Sequence, residues 1–287
     1  MGQSLKNKSA VVTGGGSGGI GKAVAMALAA EGAQVVVNDI GRDPEGNYIA
    51  DKTVKEIKAA GGTAVANYDS VATVEGGKNI IGTAVKSFGK IDILVNCAGN
   101  MKRLPVAEVT EDVWKSIIDV HLNGHFNCSR PAVLEMLKQK SGRIINFSSR
   151  GAMSASGNIA YTSAKAGILG FTAGLAIELK DTGITVNCIV PSADTKLFPG
   201  ARPKFALETI PATISLDPDY IAPLVAYLAT DDAKNITCQF FYASGGDVCI
   251  YPRMLQLPGG TPMFVRKNGK WTVEELNKVL PPLLGVG

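Results

Sequence analysis

The sequence has no apolar run as long as the ~18–20 residues that a membrane-spanning helix needs. Its first six residues, MGQSLK, lack the apolar core of a signal peptide, and its last three match no terminal address signal. Cysteine is scarce, at five residues, and no two cysteines form a C-x-x-C pair. This pattern argues against a disulfide framework and a cysteine zinc site. We therefore expect reduced thiols, no membrane anchor and a cytoplasmic location.

The sequence also has little net charge and few histidines. Lys and Arg number 29 against 25 Asp and Glu, which leaves a net charge of +4 spread along the chain. A nucleic-acid-binding protein would gather its basic residues in a patch, so we expect no nucleic-acid partner. The two histidines, His121 and His125, form H-x-x-x-H with no third ligand evident. We therefore predict no metal site.

Short apolar runs alternate with longer helical patterns along the chain, and the predicted strands are apolar on both faces. That combination is typical of a parallel sheet covered by helices on both sides. We predict an α/β fold with one doubly wound Rossmann-type domain over residues 1–246, about seven parallel strands and a C-terminal extension over 247–287. Strands are expected at 9–13, 34–38, 63–68, 91–97, 143–148, 185–190 and 239–243, and helices at 20–31, 51–60, 74–88, 110–138, 160–179 and 217–228.

Glycine is in excess, at 33 of 287 residues, and six glycines stand between positions 14 and 21. The first predicted strand runs directly into this turn, T-G-G-G-S-G-G-I-G, and a helix follows. Such a turn lets backbone N–H groups and a helix N-terminus face the pyrophosphate of a dinucleotide. A tight turn without a ligand is the alternative. The candidate phosphate contacts are Gly14, Ser17, Gly19, Ile20 and Gly21.

Acidic residues follow the second and third strands. Asp39 stands eighteen residues after Gly21, where a carboxylate accepts hydrogen bonds from ribose hydroxyls and repels a 2′-phosphate. The position predicts NAD rather than NADP, with a turn-capping Asp as the alternative. Asp69 is a candidate partner for the adenine amino group, accompanied by Ser70 and Val71, although it is equally suited to cap a helix.

Tyr161 and Lys165 stand at i and i+4 on a predicted helix, which places them on one face, one turn apart. A lysine ammonium beside a tyrosine favours the phenolate, and a phenolate can take a hydroxyl proton. Such a pair alone is common on helix surfaces. Here a strand ending in Ser148-Ser149 precedes it and supplies a hydroxyl to orient a substrate oxygen. The fourth strand ends in N-C-A-G (96–99), whose small residues allow a cofactor to approach the backbone.

In order and spacing, these elements and Pro191-Ser192 resemble the short-chain dehydrogenase/reductase family from Lys8 to Gly246. The segments V-V-V-N-D-I-G, N-Y-D-S-V and D-V-H-L-N-G are similar to the (3R)-hydroxyacyl-CoA dehydrogenase part of peroxisomal multifunctional enzymes type 2. The resemblance implies NAD-linked oxidation of a secondary alcohol by Tyr161, Lys165 and a serine. It also implies a homodimer or homotetramer, and cofactor contacts from Tyr161 and Lys165 as well as from Asn96, Ala98, Gly99, Pro191, Ser192 and Thr195.

The chain departs from the family pattern at several positions. The phosphate turn has one glycine more than T-G-x-x-x-G-x-G. His121 stands where most members have an Asn that helps to hold a proton-relay water; it would do the same, or be a satisfied helix histidine. Counting back from Tyr161 gives Ser148 as the catalytic serine, whereas counting forward along strand five gives Ser149. We choose Ser149, because a strand has stiffer spacing than a loop.

The segment 193–216 lies where the family places its substrate-binding loop. It contains apolar residues and the basic residues Lys196, Arg202 and Lys204. This composition predicts a substrate with an apolar body and an anionic part, such as an acyl-CoA, unless the charges are ordinary solvated loop residues. The leading hypothesis is an NAD(H)-dependent alcohol dehydrogenase or ketoreductase with a 3-hydroxyacyl-CoA as candidate substrate. The alternatives are a carbonyl reductase of a non-CoA ketone and a catalytically silent NAD-sensing binding protein.

Overall fold

The chain is described by a computed structural model that covers residues 2–16, 18–152, 158–195, 197 and 215–251. One eight-stranded sheet forms its centre. The strands are Ser9–Thr13 (β1), Gln34–Asn38 (β2), Thr63–Asn67 (β3), Ile93–Asn96 (β4), Gly142–Phe147 (β5), Ile184–Pro191 (β6), Phe240–Ser244 (β7) and Asp247–Tyr251 (β8). Their spatial order is β3-β2-β1-β4-β5-β6-β7-β8. The first seven strands are parallel, as predicted, and β8 adds an antiparallel edge through its pairing with β7.

Helices connect the strands and cover both faces of the sheet. They are Ile20–Ala30 (α1), Ile49–Ala59 (α2), Val74–Phe88 (α3), Glu111–Ile118 (α4), Gly124–Gln139 (α5), Ile159–Glu178 (α6) and Ala222–Ala229 (α7). The single helix predicted over 110–138 is wrong in one respect, because a π-helical segment, Asp119–Asn123, separates α4 from α5. None of the helices in the described ranges is long and apolar enough to cross a membrane.

Successive residues of each central strand pack into different halves of the core. Val11, Val36 and Leu94 belong to one buried cluster with α3 and α5. Val12 and Val37 belong to the other, with α1 and α7. Burial on both faces explains why these strands are continuous apolar runs rather than alternating ones. The doubly wound α/β prediction is therefore confirmed.

The chain reverses its winding direction between β1 and β4. Successive strands are added on one side of β1 until β3, and the chain then returns to place β4 on the other side. Thr13 joins the two strand ends: its hydroxyl accepts hydrogen bonds from the backbone N–H groups of Cys97 and Ala98, at 3.0 and 3.1 Å. Crevices at such reversal points, at the carboxyl ends of the strands, are where ligands bind in sheets of this type.

The extension predicted over residues 247–287 begins with an unpredicted strand, β8. One compact unit accordingly runs from Met1 to Tyr251. The remainder of the predicted extension, 252–287, lies outside the described residues, as does most of the predicted substrate loop.

Candidate active site

A cavity of about 450 Å³ opens at the carboxyl edge of the sheet, between the ends of β1 and β4. It brings together residues that are far apart in sequence. The predicted site residues that line it are Gly14, Gly19, Ile20, Gly21, Asp39, Asp69, Ser70, Val71, Ala98, Gly99, His121, Ser149, Tyr161, Lys165, Pro191 and Thr195. Ser17 lies outside the described residues.

Two predicted cofactor contacts lie elsewhere. The Asn96 amide donates to Asn146 Oδ1 at 2.9 Å and to Ser129 Oγ at 3.1 Å, so it ties β4 to β5 and α5 beneath the cavity. Ser192 does not line the cavity and bonds through its backbone to β7, where its N–H donates to the Ala243 carbonyl. The structure does not bring these side chains to the other site residues.

The glycine-rich turn fits closely between its neighbours. Gly14 has a left-handed φ of 68°, and a Cβ there would lie 2.8 Å from the Cα of Ala98. Gly16 packs against the start of α2, where a Cβ would lie 2.7 Å from the Ala50 backbone nitrogen. Close packing therefore requires glycine at both positions. The turn ends at Gly19, the N-cap of α1, and the first residues of α1 line the cavity with their N–H end. This cradle is suited to an anionic phosphate.

The Asp39 carboxylate is placed for both of the roles predicted for it. Its Oδ2 accepts from the Gly16 N–H at 3.0 Å and its Oδ1 from the Gly41 N–H at 2.9 Å, so it does cap the turn. It is also half-buried and lines the cavity. A carboxylate has about four lone-pair sites, which leaves acceptor capacity for ribose hydroxyls.

Asp69 accepts hydrogen bonds from side-chain amides and does not cap a helix. Its Oδ2 accepts from the Asn67 amide at 2.8 Å and its Oδ1 from the Asn79 amide at 3.1 Å. The neighbouring strand contributes Asn38, whose amide donates to Asn67 Oδ1 and to the Asp69 carbonyl. The alternative of a helix cap is wrong, because the Thr73 hydroxyl caps α3 instead.

At the other end of the cavity, the structure distinguishes the two candidate serines. The Ser148 hydroxyl is buried and donates to the Lys165 carbonyl at 2.7 Å, a structural bond. Both serines line the cavity, but only Ser149 has its side chain hydrogen-bonded to the Tyr161 hydroxyl. Ser149 therefore has the position that the prediction requires of the catalytic serine.

Tyr161 and Lys165 are each 5% exposed. Burial raises the pKa of Tyr161 to about 12, while the Ser149 hydrogen bond acts in the opposite direction. Burial lowers the pKa of Lys165 to about 8, and its ammonium donates to the Phe147 carbonyl at 2.7 Å. The expected lowering of the tyrosine pKa by Lys165 does not appear in this arrangement. The tyrosine is therefore a phenol here, the form that can donate a proton to a carbonyl oxygen.

His121 reaches the same end of the cavity from the π-helical segment. It is 1% exposed, and its ring packs edge-on against the Tyr161 ring at a centroid distance of 5.3 Å. Nε2 lies 2.8 Å from the Asn100 carbonyl oxygen and 3.1 Å from the Asn100 backbone nitrogen. Within the described ranges, Nδ1 has no hydrogen-bond partner. Burial, followed by the Lys165 charge, lowers the pKa of His121 to about 3, so the ring is neutral.

Sequence reasoning missed several residues of the site, among them Cys97 and Asn158. Cys97 lines the cavity, but burial raises its pKa to about 12, which excludes a reactive thiolate at neutral pH. Asn158 caps α6 through its Oδ1, which accepts from the Tyr161 N–H, and its amide donates to the Lys102 carbonyl at 2.8 Å. It thus ties the catalytic helix to the loop after β4. An Asn directly before a helical pattern was the available signal.

Comparison with known proteins agrees with this geometry. A sequence model of the family described as short chain dehydrogenase matches residues 8–202. The peroxisomal multifunctional enzyme type 2 of Mus musculus is 40% identical over 230 residues, which are 78% of this chain and 30% of that protein. A 3-oxoacyl-[acyl-carrier-protein] reductase of Synechocystis is 40% identical over 248 residues, 85% of this chain and 98% of that protein.

A crystal structure of a short chain dehydrogenase from Mycobacterium avium superposes with a TM-score of 0.85 at 37% identity, covering 98% of this chain and 96% of that one. The chain spans 26% to 54% of the length of the multifunctional relatives that it matches. The predicted resemblance is confirmed: the chain belongs to the short-chain dehydrogenase family of oxidoreductases.

Proposed function

We propose that this protein transfers a hydride between NAD(H) and a secondary alcohol or ketone, with 3-hydroxyacyl thioesters as its substrate class. The observation that carries the proposal is the hydrogen bond between Ser149 and Tyr161, inside a cavity that also contains Lys165 and His121. We call these four residues the catalytic end of the cavity. We call Asp39, Asp69, Asn38 and Asn67 its adenosine end.

We infer one orientation for a dinucleotide in the cavity. Its adenosine end offers the Asp39 carboxylate to ribose hydroxyls, and the N-terminus of α1 offers N–H groups to the pyrophosphate. The residues after β4 link the glycine turn to the catalytic end, because Ala98 lies against Gly14, and Gly99 lies against His121, whose ring packs on Tyr161. Bound NAD(H) supplies or accepts the hydride through its nicotinamide ring.

Asp39 supports NAD rather than NADP as the cofactor, because its charge repels a 2′-phosphate. The nearby guanidinium of Arg42 stacks 3.6 Å from the centre of the Tyr48 ring and donates to the Gly46 carbonyl. Arg42 is therefore engaged away from Asp39, and the carboxylate dominates the local charge.

In the reductive direction, the Ser149 and Tyr161 hydroxyls hold the substrate carbonyl oxygen. Tyr161 gives its proton to that oxygen as the alcohol forms, and in the oxidative direction it takes the proton back. Burial, not the Lys165 charge, sets the pKa of the Tyr161 phenol. We infer that Lys165, whose ammonium lies 5.7 Å from the centre of the Tyr161 ring, would stabilise the phenolate only while that form exists.

The names of family members support the proposed substrate class. One relative is named a 3-oxoacyl-[acyl-carrier-protein] reductase and matches over nearly its whole length. The resemblance to hydroxyacyl-CoA dehydrogenases involves the same oxygen-bearing carbon, on a different carrier. The shared chemistry is a 3-oxoacyl thioester, and the alternative is a ketone without a thioester.

The test is NADH oxidation, followed at the nicotinamide absorbance, with three matched substrates: a 3-oxoacyl-CoA, the same acyl group on acyl-carrier protein, and the corresponding free ketone. We expect kcat/KM to be higher for a thioester than for the free ketone. Equal values for all three would reject the thioester class, and NADH oxidation by none would reject the proposed reaction.

We also propose a homodimer or homotetramer. Phe126 and Leu134 on α5 are 50% exposed, and Ile177 on α6 is 70% exposed. Apolar side chains at these levels of exposure on neighbouring helices suit an interface. Light scattering at a monomer mass would reject this assembly. A cytoplasmic location stays a prediction, since several relatives are named peroxisomal.

A further inference from the structure

His125 is a buried polar residue that the proposed reaction does not use. It is 2% exposed and belongs to the first turn of α5, directly after the π-helical segment. Its ring packs edge-on against Phe171 of α6, at a centroid distance of 6.4 Å. A neutral imidazole placed among apolar groups needs a structural or functional reason, because burying a polar side chain has a free-energy cost.

The partner of His125 is the backbone of the other histidine. Its Nδ1 is hydrogen-bonded to the carbonyl oxygen of His121. Since a carbonyl can only accept, Nδ1 carries the proton, and Nε2 carries the lone pair. Nε2 has no partner in the described part of the chain. Burial, with Lys165 as the next cause, holds the pKa of His125 well below its usual value, so the neutral tautomer persists.

This bond coincides with the change in helix type. In an α-helix the His121 carbonyl would accept the backbone N–H of residue 125, whereas π-helical turns shift the pairing to the fifth residue. Here the side chain of residue 125 donates to that carbonyl. The wider turn directs the His121 side chain into the cavity, against Gly99 and Tyr161.

The geometry points to His125 as a positioning residue: its imidazole stabilises the π turn and thereby holds the His121 ring beside Tyr161. This inference rests on the proposed function, because it gives His121 a part in the reaction. Nδ1 of His121 is the atom that such a turn would keep available to a bound water or a substrate oxygen. A continuous α-helix would rotate His121 relative to Tyr161.

A double-mutant cycle on the full chain tests this relation, since a positioning residue acts through the residue that it places. We expect His125→Ala to lower kcat by ~10- to 100-fold in the wild-type background, in the range for a catalytic group displaced by about 1 Å. KM for NADH should stay unchanged. In a His121→Ala background, the same substitution should have no further effect on kcat. His125→Gln, which retains an N–H donor, should restore most of the activity.

A readout that does not depend on turnover separates this inference from the proposed function. The chain has two histidines, so ¹⁵N-imidazole spectra assign both. We expect wild-type His125 as the Nδ1–H tautomer, a displaced His121 signal in folded His125→Ala, and a His121 signal near its wild-type position in His125→Gln. An Nε2–H tautomer at His125, an unmoved His121 signal in His125→Ala, or an equal loss of kcat in both backgrounds would overturn the inference. Failure of wild-type NADH oxidation with an intact Nδ1–H signal would reject the proposed function instead.

Discussion

The two ends of the cavity differ in how their buried polar groups are paired. At the adenosine end, Asp39 and Asp69 each have hydrogen-bond donors on both carboxylate oxygens, and the amides of Asn38 and Asn67 are engaged. Around the catalytic end, Asn100 Oδ1, His121 Nδ1 and His125 Nε2 have no partner in the described chain.

This difference matches the work assigned to each end. An unpaired buried polar group costs ~1–3 kcal/mol, so such groups need an explanation where they cluster. The adenosine end binds a part of the cofactor that does not react, and its hydrogen bonds hold a fixed shape. The catalytic end exchanges a proton, and His121 Nδ1, which has no fixed partner in the described chain, is free to bond to water or substrate there.

We expect the largest loss of kcat from a substitution at the catalytic end alone. Tyr161→Phe removes the proton donor but not the adenosine contacts, so kcat should fall by ~10²–10⁴-fold, the usual contribution of a general acid or base. NADH affinity, measured by fluorescence titration, should be unchanged. Retention of wild-type kcat would refute the assignment of Tyr161.

The next effect should appear at the adenosine end alone. Asp39→Asn removes the charge that repels a 2′-phosphate while it preserves one oxygen acceptor. We expect the ratio of kcat/KM for NAD over NADP to fall by ~10- to 100-fold, because hydrogen bonds to charged groups contribute ~1.5–3 kcal/mol. Steady-state kinetics with both cofactors measures this, and saturating kcat with NAD is the internal control. An unchanged ratio would contradict the role of Asp39.

The pH dependence of the free energy of unfolding tests the burial of His121 at the catalytic end. The pKa of His121 is about 3 in the folded chain and ~6.5 when unfolded, so below pH 6.5 the unfolded chain binds a proton that the folded chain does not. Folding stability should therefore fall as the pH falls from 6.5 towards 3.

Between pH ~7.5 and ~5, His121 should contribute about 2 kcal/mol of this loss. Urea unfolding of wild-type protein and of His121→Asn at both pH values checks the sign and the size. The variant should lose less stability than the wild type over the same interval, and an equal loss would show that His121 is not buried in its neutral form.

The smallest effect concerns the tie between the catalytic helix and the loop after β4. Asn158→Ala removes the cap and the bond to Lys102, and loss of a cap costs ~1 kcal/mol. Asn158→Asp keeps the cap acceptor but loses the amide donor. We expect both variants to lower the free energy of unfolding, Asn158→Ala because it loses the cap and Asn158→Asp because a buried carboxylate oxygen would face the Lys102 carbonyl. Both should also raise KM for the thioester, and wild-type kinetics and stability in both variants would dismiss the tie.

The parts of the site that follow from backbone topology could be predicted from the sequence. The glycine turn, Asp39 and Asp69 each follow a parallel strand, and the carboxyl ends of parallel strands meet at one edge. Strand spacing favours Ser149 over Ser148, and the structure places Ser149 beside the Tyr161 hydroxyl.

The missed features depend on contacts that leave little trace in composition. The segment D-V-H-L-N has the apolar pattern of the helices around it, so nothing in it marks a π turn. The hydrogen bond from the His125 side chain to the His121 carbonyl is local, but it depends on the π turn and so was missed with it. The edge strand β8 was missed although D-V-C-I-Y is mostly apolar, because its antiparallel pairing with β7 is what makes it a strand.

A crystal structure with bound NAD and an unreactive substrate analogue would show whether the cofactor spans the two ends of the cavity. We expect the pyrophosphate at the glycine turn and the N-terminus of α1, and the adenosine ribose at Asp39. The nicotinamide ring should lie beside Tyr161, with its reacting carbon ~3–3.5 Å from the oxygen-bearing carbon of the analogue. A dinucleotide bound outside this cavity, or with its adenine beside Tyr161, would contradict the account.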